Sequence, residues 1–499
     1  MIANASHITG RRRPWHAFLL FAAVAVPLVA GCSVNPATGR QSFTGCLSEA
    51  DERRIGAENH PVILDEFGGA YDDPQLQAYV NQIGQKLAAN SDRPNVKYTF
   101  TVLDSPVVNA FAVPGGYIYV TRGLMALANN EAELAGVLSH EIGHIAARHT
   151  NERYCSAMLA QLGIFGLGAA TGSSAVAEAA SLGAAVYLQG YSRDQEFESD
   201  LLGVRYLARS GYDPNAMSTF LATMLENSRL DAELAGRPGA ADEFDIFQTH
   251  PRTVDRVQRA VAQASGAQPA APAAATREAY LDRIDGILYG DDPEEGFIRG
   301  QKFMHPVLRF EFAVPDGFRL FNSSSAVTAR GPDNSVIQFD REPKPQQTGD
   351  MQRYIRDQWA SGVNLADLDA VTINGMDAAV GQARISTDAG RYDAWLVAVR
   401  WNQNTIYRFL MLTQPGQIGA YRDAFNRTLQ SFRSLSASEA AALRAQELRI
   451  VTVGGGDTVE SLAARMPFGD YRVERFRVLN GLPPGAALAP GQRVKLVVE

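Results

Sequence analysis

Cysteine is scarce in this chain of 499 residues: there are three, Cys32, Cys46 and Cys155. That number does not make a disulfide framework. Positive charge is not in excess either. Lys and Arg total 46 against 54 Asp and Glu, a net charge of -8. The balance gives no reason to bind nucleic acid or an anionic membrane surface, and no nucleic-acid partner is expected. Histidine is rare at 8 residues, so a pair at metal-ligand spacing carries weight. Helical repeats of the tetratricopeptide kind are missing. Long uncharged runs are few. The main one, Met158 to Gln189, carries only Glu178. Its length would permit a membrane span. Glycines between Gly163 and Gly172, and the break Thr171-Gly172-Ser173-Ser174, point instead to a packed helical hairpin or a cover over a site.

What is present is ordinary globular composition, 46% hydrophobic and 20% charged. It is enough for roughly two to four domains at this length. Asn130 to Thr150 reads as one helix. Asn130 is a good N-cap, and Glu133 three residues on completes a capping-box pattern. Leu134, Val137, Leu138, Ile142 and Ile145 recur at the spacing of a buried face. Set into that pattern is His140-Glu141-x-x-His144. Two imidazoles four residues apart lie about one turn apart on one side, so both reach a single cation. Glu141 follows the first, where its carboxylate can reach a water at that cation. His149 falls about 140° around such a helix from His144, a position for packing, not ligation.

A zinc enzyme with two histidines needs one more protein ligand. Glu196 and Asp200, four apart on an expected helix, face the same way. One carboxylate can bind the metal while the other accepts the free N–H of a ligating imidazole. Glu198 points elsewhere on that helix, to solvent.

The N-terminus reads as an address. Arg11, Arg12 and Arg13 precede an apolar run, Phe18 to Ala30, too short for a comfortable span. It ends Leu28-Val29-Ala30-Gly31-Cys32, which resembles a bacterial lipobox with Cys32 as the lipidated first residue of the mature chain. Ser33, not Asp, follows, and that resemblance favours the outer membrane. Acyl chains would tether an otherwise soluble protein. Cys46 and Cys155 then remain; they can pair in an oxidising compartment, and sequence alone does not show that they meet.

Further along, Lys97 to Leu103 alternates like a strand. Asn109 to Val120 reads as two strands around Pro114-Gly115-Gly116. Residues 265–276 form an Ala/Pro linker. Beyond it, Leu308 to Val314 alternates, and Trp395 to Arg400 with Thr405 to Leu412 reads as a hairpin. This α+β region, 277–436, holds no cluster of catalytic type, and His305 before a proline reads as structural. Ser438 is the N-cap expected for a helical connector at 437–448.

Taken together, His140-Glu141-Ile-Gly-His144 with Arg148-His149, then Ser192-Arg193-x-x-Glu196-x-Glu-Ser-Asp200, then His250-Pro251, resemble the CAAX-prenyl-protease-type family of zinc metallopeptidases, in its secreted bacterial lipoprotein branch. The resemblance implies one Zn²⁺ held by His140, His144 and Glu196. It makes Glu141 the catalytic base and puts Asp200 behind a ligand histidine. It places His250 over the metal, to stabilise an oxyanion or to cap an idle site. Arg256 fits in a supporting role. Asn109, Ala110, Phe111 and Ala112 match the family's substrate-binding edge strand, where an extended peptide pairs by its backbone. Where the common family pattern has Ala, this chain has Ser199.

Residues 449–499 resemble a LysM module in Val451-Thr452-Val453, Gly456-Asp457-Thr458, Leu479-Asn480-Gly481 and Pro490-Gly491-Gln492, although the usual first-strand aromatic is absent. That implies peptidoglycan as a partner. The expected fold class is multidomain α+β: a mainly helical zincin-type metallopeptidase domain with a small sheet (47–264), the α+β domain (277–436), and a small LysM-like βααβ module (449–499), behind a signal peptide (1–31). The expected function is a zinc metalloendopeptidase of the bacterial periplasm, lipid-anchored to the outer membrane. It would cleave misfolded or misassembled polypeptides, outer-membrane proteins among them. The alternatives are a lipid-anchored peptidoglycan-binding tether, or a chaperone-like holdase with proteolysis secondary.

Overall fold

The computed structural model describes residues 32–158 less 36, 40, 44 and 45; 190–234 with 236, 250, 258 and 261–262; and 277–499 less 324, 343–348 and 388–389. The signal segment, the linker, Arg256 and the uncharged run beyond Met158 lie outside the described residues. No helix among the described residues is long and apolar enough to cross a membrane.

An N-terminal arm opens the fold. Strands β1 (Cys32–Val34) and β2 (Gln41–Phe43) pair antiparallel, and α1 (Glu49–Glu66) follows. Ser48 and Asp51 form a reciprocal capping box at its start. Helix α2 (Pro74–Ala89) begins on Asp73, whose carboxylate accepts from the N–H of Gln75 and Leu76, with proline in the first turn where its missing N–H costs nothing. Its buried stripe Leu76, Val80, Ile83 and Leu87 lies at helical spacing.

A small sheet comes next, in the order β3-β5-β4. Its strands are β3 (Thr99–Leu103), β4 (Ala110–Val113) and β5 (Tyr117–Thr121), with β3 parallel and β4 antiparallel to β5. The turn between β4 and β5 uses Gly115 and Gly116 at φ 87 and 91, a backbone region that side chains disfavour. Helix α3 (Arg122–Leu127) then leads into α4 (Glu131–Ala146).

Helix α4 stops short of the expected Thr150. Ala147 caps it, Arg148 takes φ 59, and a new helical stretch runs through 149–158. Asn130 accepts from the N–H of Glu133 as expected, but the Glu133 carboxylate reaches Asn129 rather than the cap residue itself. Helices α5 (Arg193–Arg209) and α6 (Ala216–Leu234) pack on α4.

After α7 (Arg277–Ile284) and the short strand β6 (Leu288–Tyr289), the chain leaves this core. Strands β7 (Phe297–Arg299), β8 (Lys302–His305) and β9 (Phe310–Ala313) belong to one small sheet. A larger one has the order β10-β11-β12-β16-β15-β14-β13, built from β10 (Arg319–Asn322), β11 (Ala326–Arg330), β12 (Val336–Arg341), β13 (Leu365–Ile373), β14 (Met376–Thr387), β15 (Gly390–Asn402) and β16 (Thr405–Thr413). The expected hairpin over Asn402 is β15–β16. Helix α8 (Ile418–Ser431) buries Phe425 and Leu429 against Trp395 and Phe409. The connector helix spans Ala437–Ala442 and is capped by Ser436, two residues before the expected Ser438.

The chain then returns. Strand β17 (Gln446–Thr452) pairs antiparallel with β6 and with the C-terminal β18 (Arg493–Val498), and two short helices, Val459–Ala463 and Arg472–Leu479, lie between them in sequence. The C-terminal residues are not a separate bead. Leu448, Leu462, Phe476 and Leu496 share one buried cluster with Leu127, Leu134, Val137 and Tyr280. Burying apolar surface from both segments in one core makes each part of the other's stability. Residues 290–445 thus leave and re-enter the fold at the β6–β17 pair.

Candidate active site

Two glycines let α4 and α5 approach closely. A Cβ at Gly143 would lie 2.7 Å from Ser199 Oγ, and one at Gly203 would lie 3.1 Å from the backbone nitrogen of His140. Larger side chains there would push the helices apart. The approach brings Glu196, from the first turn of α5, up to the two histidines of α4. Ser199 Oγ donates to the His140 carbonyl at 2.5 Å across the same contact.

His140 Nε2 and His144 Nε2 stand 3.0 Å apart. Glu196 Oε1 lies 3.3 Å from His144 Nε2, and its Oε2 lies 3.6 Å from His140 Nε2. His250 joins them, with Nδ1 2.8 Å from Glu196 Oε1 and 3.4 Å from His140 Nε2. Among the described residues these four form a set whose donor atoms all lie within 4.8 Å of one another. Two or three imidazoles with one carboxylate is the donor chemistry of zinc, so the residues fit that ion. All four are buried, as are Glu141 and Asp200.

Asp200 Oδ1 lies 2.9 Å from His140 Nδ1, on the side of the ring away from the cation position. Such a carboxylate fixes the tautomer and orientation of a ligand histidine. Glu141 lies on α4 beside His140, with Oε1 3.7 Å from His250 Nε2. Burial pushes His144 well below its ordinary value, which favours the neutral ring. Burial alone would raise Glu196; His250 first, then His144 and His140, outweigh it and hold this carboxyl well below the usual range.

Asn109 through Ala112 are buried and overlap the edge strand β4, of which they hold the first three residues. Helix α4 packs against it, so the strand lies beside the helix that carries the histidines.

Two expectations are corrected. Glu198 is not solvated: its side chain is 12% exposed and lies 3.1 Å from His149 Nε2. His149 does more than pack, since its Nδ1 stands 3.1 Å from His144 Nδ1. The 140° offset assumed a helix continuous through 149, and the left-handed Arg148 breaks it. Sequence reading also missed Tyr191, which stacks on His144 with ring centroids 3.8 Å apart, and the bond from Ser199. Cys46 and Cys155 form a disulfide that ties the N-terminal arm to the 149–158 stretch.

Residues 74–264 match Peptidase family M48. The chain is 32% identical over 230 residues to the beta-barrel assembly-enhancing protease of Yersinia pestis, covering 44% of this chain and 45% of that protein. It is 31% identical over 206 residues to that of Escherichia coli (strain K12), covering 40% of each. It is 28% identical over 228 residues to the mitochondrial metalloendopeptidase OMA1 of Schizosaccharomyces pombe, covering 45% of this chain and 64% of that protein. The chain therefore spans under half the length of the two bacterial proteases. The stretch that is similar to Peptidase family M48, residues 74–264, contains the buried set His140, His144, Glu196 and His250.

Proposed function

We propose that the protein is a zinc-dependent endopeptidase of the bacterial cell envelope that cleaves misfolded or misassembled envelope proteins. One observation carries the chemistry: His140, His144 and Glu196 converge from two helices with Glu141 beside them. A zinc ion held by those three would polarise the scissile carbonyl and acidify the attacking water.

The chain's own groups supply the rest. Glu141 takes the proton of the attacking water and passes it to the leaving amine. Asp200 steadies His140. Strand β4 holds an extended peptide by backbone pairing, which tolerates many sequences. His250, with Nδ1 2.8 Å from Glu196 Oε1, caps the idle site and gives way to substrate.

The envelope reading is supported by the lipobox-like segment ending at Cys32 and by bacterial relatives named for beta-barrel assembly. Outer-membrane polypeptides are the substrate class this favours. The likeness of residues 449–499 to a LysM module, with Gly454–Gly456 and Pro483–Gly485 exposed, is what supports a glycan contact for the C-terminal segment.

Glu141→Gln in the full-length protein keeps zinc and loses casein cleavage, by about a thousandfold for a missing general base. His140→Ala loses both. Robust cleavage by Glu141→Gln would sink the assignment. Cys32→Ala releases the protein from membrane fractions; unchanged fractionation removes the anchor. Sedimentation with purified peptidoglycan tests the glycan contact.

A further inference from the structure

The two ring nitrogens of His144 face opposite ways. Nε2 faces His140 Nε2 at 3.0 Å and Glu196 Oε1 at 3.3 Å, so it points at the cation position. Nδ1 faces His149 Nδ1 at 3.1 Å. The other nitrogen of His149 lies 3.1 Å from Glu198 Oε2. The remaining oxygen of Glu198 accepts from Asn35 Nδ2 at 3.0 Å, and the same amide donates to Ala147 O at 3.0 Å. The orientation of Asn35 is set by its own carbonyl, which accepts from the N–H of Ala37 at 2.8 Å and of Thr38 at 3.3 Å. Asn35 is 2% exposed and His149 is buried completely.

This chain of contacts has a direction. A ring nitrogen that binds a metal carries no proton, so the proton of His144 sits on Nδ1. Nδ1 donates to His149 Nδ1, which must be bare. His149 therefore carries its proton on Nε2 and donates it to Glu198. Glu198 ends the chain because an ionised carboxylate only accepts, here from His149 on one oxygen and from Asn35 on the other. Reversing any member sets hydrogen against hydrogen or lone pair against lone pair in a buried place, where an unmade bond is costly.

We propose that Asn35, Glu198 and His149 form a one-way hydrogen-bond chain that holds His144 in its metal-binding tautomer, making the N-terminal arm a working part of the metal site. The three are positioning residues; they act through His144. The inference rests on the proposed ligand role of His144. It reaches beyond the family match, which begins at residue 74 and leaves Asn35 outside. Asn35 stands three residues after Cys32, so the same arm that would carry the lipid anchor also braces the site. Other contacts fasten the arm to the break after α4: Arg148 donates to Leu47 O at 3.1 Å, and Asn151 to Glu52 at 2.6 Å.

Glu198→Gln tests the direction of the chain, because Gln has the same shape with one oxygen replaced by a donor. That donor must face either His149 or Asn35. Zinc affinity of the full-length protein is measured by competition with a chelator. The absorption spectrum of the cobalt-substituted protein and the melting temperature of the metal-free protein are measured beside it. Glu198→Gln is expected to weaken zinc by about tenfold, the low end of the effect of losing a ligand's outer partner, because it acts on His144 through His149. It should shift the cobalt bands while the metal-free melting temperature holds. Asn35→Ala, on the arm itself, gives a smaller loss in the same direction and serves if Glu198→Gln fails to fold. Wild-type zinc affinity in both variants overturns the proposal. So does a loss of affinity matched by an equal fall in metal-free stability with cobalt bands unmoved, which marks packing alone. A wild-type protein that binds no zinc removes the ligand reading beneath the proposal.

Discussion

His250 sits between Glu196 and Glu141: its Nδ1 is 2.8 Å from Glu196 Oε1, and its Nε2 is 3.7 Å from Glu141 Oε1. With zinc held by His140, His144 and Glu196 as proposed, His250 would take the fourth position, which hydrolysis requires open. His250→Ala should therefore raise basal cleavage of unfolded casein several-fold while lowering zinc affinity. Activity at or below that of the unmodified protein would show that the group helps turnover more than it blocks it.

The disulfide between Cys46 and Cys155 closes a sequence separation of 109 residues around the histidine helix. Long loops gain most from closure, and a native bridge contributes about 2–4 kcal/mol. Cys46→Ser with Cys155→Ser should lower the denaturant midpoint accordingly. It should also weaken zinc, because the bridge holds the stretch that begins at His149. Identical midpoints for bridged and bridgeless protein would rule out a stabilising role.

The histidine helix is legible because its signals are local. HExxH and the apolar stripe of α4 lie within a few turns, and Asp200 follows Glu196 by one turn. The break at Arg148 was not legible, since a left-handed arginine has no composition cue of the kind glycine gives. The misplacement of His149 followed from that. Glu198 was read as solvated because its cover, Asn35, lies 163 residues away in sequence. The C-terminal segment shows the same limit. Its strands and helices are visible in local pattern, yet nothing local announces that Leu462 and Leu496 share a core with Leu134.

That shared core has a buried fastener. Lys495 Nζ donates to the carbonyls of Ala126, Leu127 and Ala128 at 2.8, 3.0 and 2.9 Å, at the end of α3. Those carbonyls have no later helical turn to bond, and the amine supplies their donors, although burial pushes Lys495 well below its ordinary value. Lys495→Met should cost about 2–4 kcal/mol, mainly from the carbonyls of Ala126 and Ala128, since Leu127 O keeps the Asn129 amide. The loss should appear in the peptidase transition, measured by urea unfolding of the full-length protein. A destabilised C-terminal segment with the histidine helix untouched would mean that the two fold separately.

The region between β6 and β17 carries its own pH dependence. His305 is 6% exposed, lies beside Phe303 and Phe310, and accepts the Leu308 N–H at Nδ1. Burial, with the nearby Arg341 cation, pushes it down from 6.5 to about 4. The unfolded chain takes up this proton near pH 6.5, and the folded one only near 4. Stability from the neutral ring is therefore whole above about pH 6.5 and is lost as pH falls toward 4, about 3 kcal/mol in all. His305→Phe keeps the aromatic contacts and removes the proton site. Between pH 7 and pH 4.5 the wild-type protein should lose about 2 kcal/mol more than this variant, read from urea midpoints at both pH values. Equal losses in the two proteins would show that the buried ring carries no such linkage.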